Sequence, residues 1–441
     1  MKTIKLVVIG GGSSYTPELA EGLINKHEFL PVNEILLVDI KEGRAKAEIN
    51  GALLKRMFAK AHMDVTVEVT LNRREALVGA DFVLTQFRVG GLEARVKDER
   101  IPMKYDIIGQ ETTGPGGFAK ALRTIPVILE ICRDIEELCP HAWLINFTNP
   151  SGIVTEAIHK HAKVKCVGLC NVPINMERAI MKQLGVDGTR LHCRFVGLNH
   201  LSFITAVYFD GQNILKQILN SPAIKDEVVK NIPNVDWAGD FLDALGMIPS
   251  PYMRYFYFEK QMLADEKENV RLGIGTRADE VMEIEKKLFA LYKQEDLEEK
   301  PEELAQRGGA LYSEAAVSLM DSIWNNRSDL HVVNTLNRGS ITDLPANCVI
   351  ETNCVVNAEG AFPLTNGALP LQVRGLVQHV KAYEELTVTA AVSGDRSDAL
   401  VALLNNPLVH DVETAKRLLE DLLEGHKPYL PQFFPKEGTM A

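Results

Sequence analysis

The chain has 441 residues, with 59 acidic against 48 basic side chains and a formal net charge of −11. That balance excludes a broad nucleic-acid surface, which needs a surplus of Lys and Arg, though it leaves room for a local basic pocket that takes one small anion. The length exceeds what a single core usually fills, so two domains are expected, at 1–195 and 196–441. Seven cysteines without CxxC spacing fit reduced thiols and a cytoplasmic setting. No apolar run approaches the roughly 18–20 residues that span a bilayer, so no membrane contact is expected.

From Lys5 to about residue 170, short β-branched runs alternate with amphipathic stretches. "IKLVVIG", "EILLVDI", "ADFVLTQF", "AWLINFTN" and "KCVGLCN" read as strands; "ELAEGLINK" and "ALRTIPVILEICRDIEEL" read as helices. Strand–helix alternation of this kind predicts an α/β fold with a doubly wound parallel sheet, whose ligands collect at the carboxyl ends of the strands. After "GLNHLSFITAVYFDGQNIL" the pattern changes to Pro- and aromatic-rich loops and longer helices, read as a mixed α+β domain. In "DEVMEIEKKLFALY", Val281, Ile284, Leu288 and Leu291 recur at helical spacing. "DVETAKRLLEDLLEG" starts on an acidic turn and stops at Gly425.

Gly10, Gly11 and Gly12 follow the first strand and open a helix, so backbone N–H groups and the helix dipole can hold a pyrophosphate. Tyr15 stands where the third small residue of G-x-G-x-x-G belongs. Asp39 ends the second strand, where a carboxylate accepts from ribose hydroxyls and repels a 2′-phosphate, which favours NAD over NADP. Asn146 and Asn149 in "NFTNPSG" lie beyond a central strand, although Asn-Pro is also an ordinary turn. Cys170 sits at a strand-to-helix junction, where a thiolate is favoured, and His200 in "GLNH" is a candidate partner; by spacing alone the pair is no metal signature. Arg88, Arg95 and Arg277 suit a phosphate, though by position alone an ordinary surface ion pair is the commoner reading of each. Tyr252 in "SPYMRYFYF" serves as a base only if positive charge, from Arg254 or a bound metal, lowers its pKa.

"VIGGGSSYTPEL", "IGQETTGPGGFAKALRTIP", "NFTNPSG", "GLCNVP", "GLNHLSF", "PYMRYF" and "TRADEVMEIEKKLF" occur in that order. Together they resemble family 4 of the glycoside hydrolases, which depends on NAD and a metal, and most of all its 6-phospho-β-glucosidases. This family stands outside the two-carboxylate scheme of glycoside hydrolysis. The resemblance implies a Rossmann-like sheet of the lactate and malate dehydrogenase superfamily, followed by a domain for substrate binding and oligomerisation. It implies that Cys170 and His200 bind a divalent metal, usually Mn2+, completed by sugar O2 and O3, and that Tyr252 is the catalytic base. Gly10, Gly11, Gly12, Ser13, Ser14, Asp39 and Asn146 would hold NAD. Arg88, Arg95, Asn149, Asn171 and Arg277 would meet substrate, a phosphorylated disaccharide or aryl β-glucoside 6-phosphate. Asn171, placed among the catalytic residues, stands where α-specific members carry an Asp, which favours the β branch. The implied reaction is oxidation at C3, deprotonation at C2, elimination of the aglycone, water addition and re-reduction, in a homodimer or homotetramer. The alternatives are a 6-phospho-α-glucosidase or α-galactosidase of the same family, a malate/lactate-type dehydrogenase, and a non-catalytic NAD-binding redox sensor.

Overall fold

Residues 3–188, 190–225, 232, 235–307 and 311–434 are described by the computed structural model. Six parallel strands lie side by side: β1 (Ile4–Ile9), β2 (Val32–Val38), β3 (Thr66–Thr70), β4 (Phe82–Thr85), β5 (Trp143–Asn146) and β6 (Lys165–Gly168). Their spatial order, 3-2-1-4-5-6, is the doubly wound arrangement. β1, β4 and β5 are buried along nearly their whole length, as expected where helices cover both faces and strands become continuous apolar runs. The strand runs identified in the sequence form as read, with β3 added at the edge beside β2; its alternating "TVEVT" was the available signal. The helix beginning at "ALRTIP" starts seven residues earlier, spanning Gly114–Leu138.

The second half of the chain builds two things. β7 (Leu191–Leu198) and β8 (Leu201–Phe209) form a hairpin, and β9 (Gln212–Asn213) and β10 (Ile248–Pro249) pair with the two ends of β8 along the edge that β7 leaves open. β11 (Asp329–Leu336), β12 (Val349–Asn357) and β13 (Gly360–Pro363) then return to the large sheet and extend it in antiparallel sense beyond β6, through the pairing of Asn334 with Gly168. The "IETNC" stretch of β12 fastens the hairpin to this sheet. Asn353 accepts from Phe195 N at 2.7 Å and donates to the Cys193 carbonyl at 3.0 Å, while Thr352 donates to the Phe195 carbonyl at 2.8 Å. Loops from β1, β2, β4, β5 and β6 therefore open at one end of the sheet, and the β7–β8 turn lies against them.

Candidate active site

The dinucleotide side starts at the switch point between β1 and β4. Gly10 adopts φ 93°, and a Cβ there would lie 2.8 Å from the Phe87 backbone, so the loops after β1 and β4 meet at a distance only glycine permits. Gly10 and Gly11 donate to the Val38 carbonyl. Asp39 accepts from Gly12 N at 2.7 Å and from Ile40 N at 2.8 Å; burial raises its carboxyl, against those bonds. Ser14 Oγ reaches Glu285 at 3.1 Å, and Asn50 holds the carbonyls of Gly11 and Ser13. Ser13 caps the turn through Tyr15 N. Tyr15 is covered by the Arg307 guanidinium, 5.1 Å above its ring. The cradle that a Cβ would fill, the helix N-terminus behind it and the acid at the end of β2 fit NAD. Asn146 sits differently: fully buried, its amide is spent on Thr85, Thr148 and Thr155, so it braces the ends of β4 and β5.

The substrate side gathers around a residue that the sequence reading did not single out. Consecutive left-handed glycines, Gly90 and Gly91, turn the chain after Arg88 into the helix Gly91–Met103, which carries Arg95. Both arginines reach Glu111: Arg88 directly, and Arg95 Nη1 at 3.0 Å. Lys120, on the helix Gly114–Leu138, joins them at 2.9 Å. Burial disfavours the Glu111 carboxylate, but three cations outweigh it and hold its pKa well below the usual range. Burial and the Arg88 charge push Lys120 down to about 7, despite Glu111. Arg95 is also tied to Glu99 at 2.7 Å, and Glu99 accepts from Ala278 N, next to Arg277. Arg277 itself pairs with Glu280 and caps the carbonyls of Gln306 and Arg307. Charged Lys120 and Arg123 inside the apolar run "GFAKALRTIP" were the signal that this helix does more than pack.

Asn199 and His200 are the two turn residues of the β7–β8 hairpin, and His200 takes φ 62°. Tyr252, in the 3-10 turn Pro251–Met253 that follows β10, stacks on His200 with centroids 3.7 Å apart and planes at 3°. Burial, helped by Lys120, pushes His200 down to about 3, so its imidazole is neutral, the metal-ligating form. Cys170 follows β6. Burial and then the charge of Glu351 push its thiol up to about 12, opposed by hydrogen bonds from Val172 N, Asn199 and Asn171 N, donors that favour the thiolate. Burial likewise raises Tyr252, with the charges of Cys170 and Glu111, against Arg95 and a hydrogen bond from Thr112. The expected role of Arg254 passes to Arg95: Arg254 donates to the Val235 carbonyl at 2.7 Å and lies over Trp237. Asn171 is the N-cap of the helix Val172–Leu184. Asn149 Oδ1 accepts from Ser151 N, and the next residue, Gly152, donates to Asn199, tying the "NPSG" loop to the hairpin turn.

The structure thus brings Cys170, His200, Tyr252, Arg95 and Arg88 into one region, reaches Arg277 through Glu99, and adds Glu111, Thr112 and Lys120. Among the described residues no group of three or more His, Cys, Asp or Glu side chains is arranged to hold a metal ion. A thiolate and a neutral imidazole fit two positions of a divalent-metal shell, and the rest must come from a bound molecule.

The sequence model for "Family 4 glycosyl hydrolase" matches residues 5–186, and that for its C-terminal domain matches 195–409. A Bacillus subtilis protein named probable 6-phospho-beta-glucosidase is 51% identical over 99% of both chains. The Escherichia coli 6-phospho-beta-glucosidase is 43% identical, covering 98% of this chain and 97% of that one. Among solved structures, the Thermotoga maritima 6-phospho-beta glucosidase with manganese, NAD+ and glucose-6-phosphate superposes with a TM-score of 0.89 at 38% identity, over 97% of this chain and 99% of that one. A Plasmodium falciparum malate dehydrogenase, at 11% identity and a TM-score of 0.54 over 88% of this chain and 99% of that one, shares the fold alone. A doubly wound sheet, a two-donor site facing a buried tyrosine, and sequence agreement along nearly the whole length converge on one conclusion: the chain belongs to family 4 of the glycosyl hydrolases.

Proposed function

We propose that this protein is a 6-phospho-β-glucosidase, releasing glucose 6-phosphate and an aglycone from substrates such as cellobiose 6-phosphate, with NAD and a divalent metal, Mn2+ first, as cofactors. The names of the relatives at 51% and 43% identity support it, as do the ligands in the Thermotoga maritima structure. The observation that carries the reading is the stacking of Tyr252 on His200, with Cys170 and Arg95 beside them.

Gly10 to Ser14 and Asp39 would hold NAD; Cys170 and His200 would hold the metal. When bound, these supply reversible oxidation at C3 and positive charge at O2 and O3, so the C2 hydrogen becomes acidic and no net oxidation results. Tyr252 Oη then takes the C2 proton, the C1–O bond breaks as the C1–C2 double bond forms, and water adds its hydroxyl at C1 while Tyr252 returns the proton to C2, the second proton of water going to the departed aglycone oxygen. Arg88, Arg95 and Arg277 would compete for the phosphate and ring hydroxyls, Asn149 would orient the sugar, and Asn171 would shape which anomer fits. Asn146 would act by bracing the loop beneath the nicotinamide.

The reading extends to a cytoplasmic setting, supported by seven unpaired cysteines, and to a homodimer or homotetramer, supported by the family resemblance. We place a dinucleotide-binding part at 1–195 and a substrate and assembly part at 196–441, a division supported by separate family models over residues 5–186 and 195–409.

The test is p-nitrophenol release from p-nitrophenyl β-glucoside 6-phosphate by dialysed protein under reducing conditions, with NAD+ and Mn2+ each added or withheld. Release that needs both, and none from the unphosphorylated glucoside, is the expected result. Release only from the α-anomer or the galacto epimer would replace the β-gluco assignment. Stoichiometric net NAD reduction on a hydroxy acid would favour the dehydrogenase.

A further inference from the structure

Glu351 is a buried carboxylate, 1% exposed, on β12, far in sequence from every residue placed in the site above. Its two oxygens take up Asn199, directly before His200, and Ser202, two residues after it. Asn199 Nδ2 donates to Oε1 at 2.9 Å and Ser202 Oγ donates to Oε2 at 3.1 Å, while Asn334 on β11 adds a bond to Oε1 at 3.3 Å. The Asn199 side chain also hydrogen-bonds the Cys170 sulfur and accepts from Gly152 N at 3.3 Å. His200 holds a left-handed φ that a non-glycine residue keeps only when its surroundings over-determine it. One carboxylate thus holds both sides of the turn that presents the imidazole and, through the Asn199 amide, connects to the Cys170 thiol.

We propose that Glu351 is a positioning residue for the Cys170–His200 pair, holding the two donors at the separation and orientation that a divalent metal requires. The proposal rests on the metal-dependent reading above. Glu351 touches neither metal nor substrate; besides its charge, which raises the Cys170 thiol, it acts through Asn199 and Ser202, as outer-shell partners of metal ligands generally do, where their loss costs about 10–100-fold in affinity. Its neighbours Thr352 and Asn353 fasten the same hairpin, but at Phe195 and Cys193, away from the turn. They separate general anchoring of the hairpin from positioning of the ligands.

The experiment titrates Mn2+ into dialysed full-length protein by calorimetry and follows Co2+ binding through the thiolate-to-cobalt charge-transfer absorption, for the wild type and for Glu351→Ala, Glu351→Gln and Asn353→Ala. NAD affinity is measured on the same samples. Glu351→Ala is expected to weaken Mn2+ about 10–100-fold and to lose or shift the cobalt band, with NAD affinity unchanged. Glu351→Gln, which keeps the shape and can bond both neighbours, should recover most of the affinity, and Asn353→Ala should bind metal as the wild type does. Wild-type affinity in Glu351→Ala, or equal losses in Glu351→Ala and Asn353→Ala, would overturn the proposal while leaving the metal site intact. A wild type that binds neither ion would overturn the metal reading itself, and the proposal with it. If Glu351→Ala does not fold, Ser202→Ala decides, with weaker Mn2+ binding supporting the proposal and unchanged binding overturning it.

Discussion

The phenol of Tyr252 must lose its proton to act as a base, and burial pushes its pKa the other way, with the negative charges of Cys170 and Glu111 adding to the effect. Arg95 and the Thr112 hydrogen bond favour the phenolate, and a divalent cation between Cys170 and His200 would add the largest positive charge in the region. On the proposed reading, Tyr252 is therefore expected to act as a base only with the metal bound. Tyr252→Phe should leave NAD and metal binding in place, lower kcat by about 10²–10⁴-fold, and slow exchange of the C2 hydrogen in deuterated buffer; exchange at the wild-type rate would move the role to another group. Cys170, His200 and Tyr252 stand out in the sequence as chemically distinctive side chains, but the roles proposed for them come from the family resemblance, since their spacing alone carries no signature. Glu111 and Glu351 do not stand out. Their meaning comes mainly from partners 9 to 23 and 149 to 152 residues away, and a single carboxylate gives no spacing from which to infer them.

The helix Glu259–Arg271 illustrates how an element can serve a site that it does not line. Glu266 accepts from Gly109 N at 3.0 Å, fixing the chain just before Gln110, whose side chain in turn holds Thr112 and Thr113. That brace presents Glu111 and Thr112. Burial pushes Glu266 up to about 8, helped by Glu99 and Asp265 and opposed by the Gly109 bond. Its folded pKa is therefore above the unfolded value of about 4.3. Between the two, the folded state keeps a proton that the unfolded chain releases, so stability falls as pH rises across that window. Glu266→Gln keeps an acceptor for Gly109 N and removes the titration. Its Tm should gain on the wild type by about 1–2 °C between pH 5 and pH 9, read by calorimetry; parallel curves would show that Glu266 does not titrate with folding. Elements of this kind were legible as helices and strands from periodicity and caps: Thr276 and Asp279 form a capping box at the helix Arg277–Tyr292, and Asp411 caps Val412–Gly425. What periodicity does not report is which loop a helix braces, because that contact is a backbone amide with no side-chain signature.

At the scale of the whole molecule, the change of pattern near residue 196 marks a change of architecture without marking a break in the core. β11, β12 and β13 complete the sheet that β1 to β6 begin. One apolar cluster packs Ile4, Leu37 and Val167 with Leu288, Met320 and Cys354, and another packs Phe118 and Ile153 with Val377 and Leu419. Fully buried Asp98 takes both guanidinium nitrogens of Arg123 at 2.7 and 2.5 Å, and the imidazole of His426 lies 3.0 Å from it, tying the end of the chain to helices of the first half. No strip of surface separates the halves as a linker would. Antiparallel pairing across β6 and β11 was beyond reach of the sequence, since strands 166 residues apart at Gly168 and Asn334 share no local pattern. The shared core predicts a single cooperative unfolding transition for the monomeric unit. NAD, which we propose is held by loops of the first half, should then raise the whole transition, by about 2.7 kcal/mol at a hundred times its Kd. Calorimetry with and without NAD measures this. Two transitions, with only one moving on NAD addition, would mean that the halves unfold independently, and that the buried groups they share contribute little to holding the site together.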